Sequence, residues 1–402
     1  MKRVAILLTL SLMVALASAV SSFNYATCIL QPVGNSGVSG NILIESRGGN
    51  IAFLTNLNGL TQTSHGMTIR TTGDIYGAST AGEVLGATAV PYDCSTVAGS
   101  IANVTNGVDG LYIKANLDIS GANSIVGRVL AITDVAEGCN TTASATVLAQ
   151  CVIGIGNKDF IPQGSGITPP ASGIVNTIAY QAADASTPQS GICNLSPTTG
   201  NTVNGIVYFN LETNGSITVT AAINNLDTSS AHGIHIHGFG DLILANGSSV
   251  GGHWKTGSQV HNLPPNNTRE LGDLGNVCVY ESKIGYYKYN TDYFGNQNSV
   301  NNFIGRAVVI HAIRDAGFNA TFGARIAQCV IGLGTATSHQ TIPSTLSFAS
   351  EPICTPDTTT TTGSTTTTTT TDATTTGTTT GSSSTIVPAF IMIISLISFL
   401  LL

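Results

Sequence analysis

Charged side chains are scarce in this chain. They make up 9% of its 402 residues, and lysine and arginine together number only 14. The body of the chain also lacks the periodic runs of Ala, Leu, Glu, Lys and Arg that long helices need. Removing Lys2 and Arg3 with a signal peptide takes the formal net charge from −7 to −9. This balance excludes a surface that binds polyanions in general, and no feature of the sequence suggests nucleic-acid binding.

Glycine and short β-branched runs dominate instead. Glycine occurs 45 times, and runs rich in Val, Ile and Thr are separated by Gly and Asn. Such runs predict short β-strands joined by frequent turns. We therefore predict an all-β protein.

The N-terminus carries a signal for export. Lys2 and Arg3 precede an apolar stretch that is too short to span a bilayer, so we expect residues 1–19 to be a cleaved signal peptide. The eight cysteines of an exported chain are expected to form disulfides. The Asn-x-Ser/Thr pattern also predicts a glycosylated surface. The candidate sites are Asn103, Asn140, Asn194, Asn214, Asn246, Asn266 and Asn319.

The C-terminus carries a second processing signal. Residues 355–385 form a disordered Thr/Ser-rich stalk of the kind that is O-glycosylated. Residues 386–402 form an apolar tail, and the pattern is that of a GPI-anchor signal with its attachment site between Gly377 and Ser383. We expect the tail to be removed and a GPI lipid in the outer leaflet to hold the protein at the extracellular face of the plasma membrane. A tail-anchored membrane helix is the alternative.

The chain is a tandem duplication. AQCVIGIG begins at Ala149 and AQCVIGLG at Ala327, and SHGMTIRTTGDI from Ser64 aligns with AHGIHIHGFGDL from Ala231. Matching blocks occur in the same order in both halves, which indicates two copies of one domain. The predicted domains are a first repeat at 22–160, a linker at 161–187 and a second repeat at 188–354.

The cysteines follow the duplication in part. Cys28 and Cys151 match Cys193 and Cys329, near the first and last strands of each repeat. Joining those strands would close each domain, so we predict the disulfides Cys28–Cys151 and Cys193–Cys329, each of which closes a long loop. The remaining cysteines divide most simply into Cys94–Cys139 and Cys278–Cys354.

Histidine is concentrated in the second repeat. In AHGIHIHGFGD, His235 and His237 are two residues apart, so in a strand both side chains point to the same face. Two imidazoles on one face form half of a transition-metal site. A lone pair of this kind more often makes ordinary hydrogen bonds, so further donors must decide between the two interpretations.

Further donors follow in order along the chain. GGHWKTGSQVH supplies His253 and His261, ELGDLGN supplies Glu270 and Asp273, and AVVIHAIRD supplies His311. Imidazoles together with carboxylates suit copper and zinc, whereas calcium and magnesium prefer sites made only of oxygen. The group as a whole therefore favours a metal centre.

These segments resemble the copper/zinc superoxide dismutases. The resemblance is carried by GIHIHGFGD, GGHWKTGSQVHNLPP, LGDLGN, GRAVVIHAIRDAG and GARIAQCVIG, which span most of the second repeat. It implies an eight-stranded Greek-key β-barrel, or sandwich, in each repeat. It also implies conversion of superoxide to O2 and H2O2 at a copper site. The implied copper ligands are His235, His237, His253 and His311.

The resemblance also implies a zinc site that shares the imidazole of His253. The other zinc ligands would be His261 and Asp273. The family places a third zinc histidine where this chain has Glu270. Either Glu270 ligates zinc in its place, or zinc binds weakly or not at all.

Asp315 and Arg325 complete the implied site. Asp315 would link a copper histidine to a zinc histidine, and Arg325 would guide and hydrogen-bond the anion, so His253 and Arg325 are the implied catalytic residues. Two departures from the family concern the surroundings. A loop cysteine is missing and Gln328 stands at its partner position, so the usual loop-anchoring disulfide cannot form. The loop at 312–324 is short, which places electrostatic steering of superoxide in doubt.

The first repeat lacks the implied metal ligands. At the positions of His235, His237, His311 and Arg325 it has Thr68, Arg70, Thr133 and Val147. It retains His65, which matches His232 outside the ligand set. We predict that the first repeat binds no catalytic metal and serves as a spacer, a packing partner or a receptor-facing module, or persists as a decayed duplicate that adds stability.

Two other functions remain open from the sequence. One is a copper-only dismutase, and the other is a non-catalytic metal-binding or adhesion protein of the cell surface. The complete set of four histidines with Arg325 favours an enzyme, because an adhesion domain has no need of both. The sequence does not define an oligomeric state.

Overall fold

The computed structural model describes most of the two repeats. It covers residues 25–47, 49–61, 64–76, 81–87, 92–105, 107–120, 123–135, 145–161, 190–227, 231–294, 302–334 and 354. The expected signal peptide, stalk, GPI site and apolar tail lie outside these residues, as does nearly all of the expected linker. No helix in the described part is long and apolar enough to cross a membrane.

The first repeat forms an antiparallel sheet of nine strands. Its strand order is β5-β4-β7-β8-β1-β2-β3-β6, and β9 pairs with β1. The strands are β1 (Tyr25–Pro32), β2 (Ser39–Arg47), β3 (Asn50–Asn58), β4 (His65–Ile69), β5 (Ser100–Val104), β6 (Gly107–Ala115), β7 (Val129–Thr133), β8 (Val147–Val152) and β9 (Gly154–Ile155). A 3-10 turn follows at Lys158–Phe160.

The second repeat forms a closed barrel. Eight strands pair in the cyclic order β10-β11-β12-β15-β14-β13-β16-β17, because β10 pairs with both β11 and β17, and β18 adds to β10. The strands are β10 (Gly191–Pro197), β11 (Asn204–Leu211), β12 (Ile217–Asn224), β13 (Ala231–His237), β14 (Asp273–Val279), β15 (Gly285–Thr291), β16 (Ala307–His311), β17 (Arg325–Val330) and β18 (Gly332–Leu333). Two 3-10 turns lie at Ser248–Val250 and Glu281–Lys283. This topology confirms the all-β, Greek-key interpretation of the sequence.

Strand alternation directs apolar side chains into the barrel and leaves the histidines on its outer face. In β13, Ile234 and Ile236 are fully buried in the core cluster. His235 and His237 alternate with them and therefore lie on the opposite face of the strand. They are also buried, at 0% and 1% exposure, because loops cover that face. The strand thus anchors the core on one side and the histidine site on the other.

Both repeats use the same register around this strand. Thr68 pairs with Ala131 in the first repeat, and His235 pairs with Val309 at the matching position of the second. In each repeat the pairing shifts beside the last residue of the neighbouring strand, Thr133 in β7 or His311 in β16. The scaffold around the histidine positions is therefore common to both repeats.

The disulfides join the barrel strands of each repeat. Cys28 is bonded to Cys151 and Cys193 to Cys329, across sequence separations of 123 and 136 residues. These are the two pairs expected from the duplication, and each joins the first strand of a repeat to its last long strand. The structure also joins Cys278 to Cys354. Cys94 is disulfide-bonded as well, and its expected partner Cys139 lies outside the described residues.

The candidate glycosylation sites differ in accessibility. Asn194 is half-buried, and its Nδ2 atom, which a glycan would join, is buried without a partner. Glycosylation of Asn194 stays a prediction, as it does for the other candidates. Asn140 lies outside the described residues. The exposed candidates are Asn103, Asn214, Asn246, Asn266 and Asn319.

Candidate metal centre

Four histidines from separate parts of the second repeat converge on one point. His235 and His237 come from β13, His311 ends β16, and His253 lies in the loop that follows β13. Each offers a ring nitrogen, and these four atoms lie within 4.8 Å of one another. A backbone bridge between His237 and His253 fixes the loop against the strand. The fold thus brings together the four residues that the sequence singled out as copper ligands.

The unpartnered nitrogens of this cluster fit a bound metal. The buried Nδ1 of His235 and Nε2 of His237 have no hydrogen-bond partner. Their other nitrogens are occupied: His235 Nε2 donates to Asp315 at 2.9 Å, and His237 Nδ1 donates to the Gly251 carbonyl at 2.9 Å. A buried polar atom without a partner is costly, and a metal ion would satisfy both atoms.

A second donor group lies beside the first and shares two of its histidines. His235, His253, His261 and Asp273 also hold their ligand atoms within 4.8 Å. His253 Nδ1 and His261 Nδ1 each lie 2.9 Å from Asp273 Oδ1. His253 therefore faces this group through Nδ1, so that its ring stands between the two clusters. This is the arrangement that a bridging imidazole requires.

Glu270 stands at the edge of the second group. Its carboxylate is 3.2 Å from His253 Nδ1 and 4.0 Å from His261 Nδ1. The same carboxylate forms an ion pair with Lys255 at 2.9 Å, and it does not belong to either close-packed donor group. Glu270 thus takes the place of a third zinc histidine in sequence but has a lysine partner in the structure.

Asp315 connects the two groups through hydrogen bonds to one histidine of each. Its two carboxylate oxygens accept hydrogen bonds from His235 Nε2 at 2.9 Å and from His261 Nε2 at 3.0 Å. Asp315 is fully buried, and its backbone N–H donates to the side chain of Asn276. Because a metal ligand is oriented by the bond of its other nitrogen, this carboxylate sets both rings at once. It makes the contacts that the resemblance implies.

The two donor groups differ in the charge of their side chains. Burial, with a smaller contribution from the charge of His253, lowers the pKa of His235 to about 4, and burial holds the pKa of His237 well below its usual range. These imidazoles are therefore neutral and free to donate a lone pair. Burial opposes ionisation of Asp273, but hydrogen bonds from His253 and His261 outweigh it and lower its pKa to about 2.

His261 is held in the protonated form by its neighbours. Burial lowers the pKa of this ring, but hydrogen bonds to Asp273 and Asp315 outweigh that effect and raise it to about 9. A cationic ring thus lies between two carboxylates. A divalent cation in place of its proton would keep a positive charge between the two carboxylates, which suits a metal site.

Arg325 is held beside the histidines by the loop that follows β13. Its guanidinium donates to the carbonyls of Gly247 and Gly251, the latter at 2.6 Å. Arg325 also lines an open cavity of about 690 Å³ together with Thr198, Asn246 and Ser248. The arginine therefore presents a fixed positive charge to a solvent-filled opening.

Phe322 is a neighbour of the site that the sequence did not reveal. Its ring centroid lies 5.0 Å from those of His235 and His253, and 4.6 Å from that of His261. It covers the histidines from the short loop at 312–324. The only signal in the sequence is an aromatic residue three positions before Arg325, which does not by itself indicate a contact.

The first repeat has no such group among its described residues. Thr68 and Thr133, which stand at the positions of His235 and His311, are fully buried. His65 donates from Nδ1 to the carbonyl of Thr133 at 2.9 Å, and His232 makes the same bond to His311 at 2.9 Å. The histidine that both repeats retain is therefore structural.

Comparisons with known proteins agree with this geometry. Residues 203–331 match a family model described as copper/zinc superoxide dismutase. The chain is also 34% identical over 141 residues to the Cu-Zn superoxide dismutase 2 of Brassica juncea, an alignment that covers 33% of this chain and 90% of that protein. The chain belongs to the copper/zinc superoxide dismutase family.

Relatives with longer alignments come from Dictyostelium discoideum. Its extracellular Cu-Zn superoxide dismutases 2 and 3 are 35% and 33% identical to this chain over 256 and 247 residues. These alignments cover 60% and 59% of this chain but only 58% and 59% of the two proteins. A crystal structure of the clock protein EA4 matches 37% of this chain and 96% of its own, with 29% identity and a TM-score of 0.33.

Proposed function

We propose that the second repeat is a superoxide dismutase, which converts two superoxide ions and two protons to O2 and H2O2. The observation that carries the proposal is the convergence of His235, His237, His253 and His311 beside Arg325. A site that needed only a structural metal would have no use for a fixed cation facing an open cavity. Family membership supports the same reaction.

The donor set fits two metals in different roles. We assign copper to the four-histidine group, where it would supply the one-electron chemistry of the reaction by cycling between two oxidation states. We assign zinc to His253, His261 and Asp273, where it would order the site. The ion pair with Lys255 makes Glu270 the weakest of the candidate zinc ligands, and copper without zinc is the second candidate.

Arg325 is proposed to bind the substrate anion. Carbonyls of the loop fix its Nη1 and Nη2 atoms, and the side chain lines the cavity. A fixed cation at the mouth of an otherwise neutral opening raises the local concentration of an anion. Because the loop at 312–324 is short, we assign attraction of the anion to Arg325 itself.

His253 is proposed to handle the proton. Asp273 fixes its Nδ1 atom at 2.9 Å, so the Nε2 atom faces the copper group. Nε2 would either ligate copper or, when free of the metal, carry a proton, and giving that proton to the reduced oxygen species would return the ring to its neutral form. His235 and His237 are fixed by hydrogen bonds and serve as ligands.

We propose that the protein acts outside the cell, at the outer leaflet of the plasma membrane. The Dictyostelium relatives are described as extracellular. The disulfides suit an oxidising compartment. Cleavage of residues 1–19, glycosylation of the exposed asparagines and a GPI lipid joined between Gly377 and Ser383 complete the proposal.

Metal analysis combined with a superoxide decay assay tests the proposal. The purified protein should contain copper, lose dismutase activity on chelation and recover it when copper is returned. Zinc at a level equal to copper would support the two-metal site, and copper alone would support the second candidate. A copper-loaded protein that does not accelerate superoxide decay would refute the enzyme.

A further inference from the structure

The two repeats contact each other through backbone hydrogen bonds within one compact unit at Met1–Asp357. Ile155 of the first repeat donates its N–H to the Gly305 carbonyl at 2.8 Å. The Ile155 carbonyl accepts the N–H of Gly240 at 2.9 Å. Gly305 and Gly240 lie in two loops of the second repeat, so one residue of the first repeat contacts both loops.

The same contact occurs with the repeats exchanged. Leu333, which matches Ile155, donates to the Gly127 carbonyl at 2.7 Å and accepts the N–H of Gly73 at 2.7 Å. Gly127 and Gly73 match the two glycines that Ile155 contacts. A contact in which the same positions meet on both sides is that of a two-fold pair. The first repeat therefore occupies the surface that a second copy would use.

Close approach requires glycine on both sides of this pair. Gly127 and Gly305 have φ angles of +80° and +79°. A side chain on Gly127 would collide with Ile304, and one on Gly305 would collide with Val126. Each collision is with the opposite repeat. The contact is thus built into both copies of the sequence.

Asn157 adds a connection that the sequence does not repeat, since its matching residue is Thr335, outside the described residues. Asn157 is 3% exposed. Its backbone N–H donates to Asp241 Oδ2 at 3.0 Å, and its Nδ2 donates to the Ser249 carbonyl at 2.9 Å. One residue of the first repeat therefore holds two points of the loop that follows β13.

The loop is braced internally around those two points. Ser249 Oγ donates to the Asp241 carbonyl at 2.6 Å and accepts the N–H of Leu244 at 3.2 Å. Gln328 stands where the family has one cysteine of its loop-anchoring disulfide. It contributes little to holding the loop, because its Nε2 atom lies 3.5 Å from the Leu244 carbonyl. In place of a covalent anchor, the loop has this buried hydrogen-bond network.

The braced loop is the one that holds the metal centre. Gly247 and Gly251 present their carbonyls to Arg325, and Gly251 also accepts from His237. The loop continues through Gly252, whose carbonyl accepts the N–H of Gly238, directly to His253. A shift of the segment at Ser249 would therefore move the partners of both the arginine and a copper histidine.

We infer that Asn157 is a positioning residue for the metal centre, and that the first repeat acts as a built-in partner subunit through it. Its amide fixes the Ser249 segment, which in turn orients Arg325 and His237. The catalytic consequence rests on the proposed function, whereas the effect on the loop does not. The first repeat thus contributes to the site although it has no metal ligands of its own.

Hydrogen exchange of the full, metal-free chain tests the brace directly. Asn157→Ser keeps an oxygen that can accept from Asp159 N–H, as Asn157 Oδ1 does at 3.1 Å, but its shorter side chain lacks the amide N–H group that donates to Ser249. We expect backbone amides at 244–251 to exchange roughly ten-fold faster or more. Asn157→Asp, which keeps the shape and removes the donor, should give the same result if the serine variant does not fold.

The matched control is a bond that lies within the first repeat. Lys114 Nζ donates to the carbonyls of Val97 at 3.1 Å and Ser100 at 2.6 Å. Lys114→Met should leave exchange at 244–251 unchanged. Equal exchange in Asn157→Ser and the unaltered chain, or an equal increase in Lys114→Met, would overturn the inference.

The copper-loaded chain supplies a readout that a purely structural role would not change. The Cu(II) paramagnetic resonance spectrum should shift in Asn157→Ser, and dismutation should slow about three- to ten-fold at equal copper content. Faster hydrogen exchange at 244–251 with an unaltered copper spectrum would also overturn the inference, because Asn157 would then not affect the metal centre. If the unaltered protein shows no dismutation, the proposed function fails, while exchange and resonance still decide the role of Asn157.

Discussion

The two repeats have the same strand order and register but differ in the residues of one face. In the second repeat, four histidines converge on the outer face of the barrel at β13. The first repeat has buried threonines at the positions of His235 and His311. Both repeats keep their long-range disulfide and their structural histidine. The strand arrangement therefore does not depend on the four histidines. Scaffold and site are separable, so one copy could lose the site without losing the fold.

The irregular pairing beside the site leads to the same conclusion. The register shift next to His311 is also present next to Thr133, where there is no metal group. The shift is therefore a property of the barrel, and in the second repeat it lies beside the proposed copper ligand His311. A local irregularity in a strand need not have arisen for the chemistry that it now serves.

The largest expected effect comes from giving the second repeat the residues of the first. The double substitution H235T/H311T reproduces the buried threonines at Thr68 and Thr133 and leaves two histidines of the proposed copper group. We expect copper binding to be lost and dismutation to fall more than about 100-fold, since removing metal ligands removes the redox centre. Metal content, activity and circular dichroism of the variant would check this.

The reverse exchange is its control. The substitutions T68H/T133H place two histidines in the first repeat, which has no counterparts of His237 and His253. No additional copper should bind. A first repeat that gained copper, or an H235T/H311T variant that retained it, would contradict the assignment of the four-histidine group.

A smaller effect is expected when Arg325 is replaced by valine, the residue that the first repeat has at the matching position, Val147. R325V should keep its copper but lose about ten-fold or more of the dismutation rate, because the anion loses its fixed cation. The loss should shrink at high ionic strength, where screening weakens the attraction in the unaltered protein. R325K, which keeps the charge, should retain more activity. Equal rates for R325V and the unaltered chain would remove Arg325 from the mechanism.

The retained histidines should matter equally to stability. H65A and H232A each remove a buried hydrogen bond of 2.9 Å to a strand carbonyl. Each should lower the free energy of unfolding by roughly 1–3 kcal/mol. Thermal unfolding measures the loss, and copper content separates the two variants, because only His232 bonds to the backbone of a proposed copper ligand, His311. A neutral H65A would show that the first barrel does not need this bond.

An effect on stability of the same order is expected from a pH dependence at the contact between the repeats. Burial raises the pKa of Asp241 from 3.8 to about 6. The folded state therefore binds more protons than the unfolded state between about pH 4 and pH 6, so the free energy of unfolding should fall as the pH rises through this range. The fall should be roughly 1–3 kcal/mol. Denaturant unfolding of D241N should lack this component, and identical pH profiles would exclude Asp241 as its source.

The sequence predicts the parts of this molecule that depend on periodicity and on internal repetition. The duplication indicates which cysteines should pair, and alternation in a strand places His235 and His237 on one face. The contacts of Phe322 and Asn157 could not be predicted in this way. Phe322 contacts the site through the path of an irregular loop, and Asn157 contacts the second repeat through the packing of two domains. Neither arrangement leaves a periodic pattern in the chain.

The disulfides Cys28–Cys151 and Cys193–Cys329 have a consequence for the lifetime of the molecule. Each spans more than a hundred residues and encloses almost every loop of its repeat. A protease that cuts one of those loops would leave two fragments still joined by sulfur, with the barrel pairing intact around the cut. On a gel, such damage would become visible only after reduction.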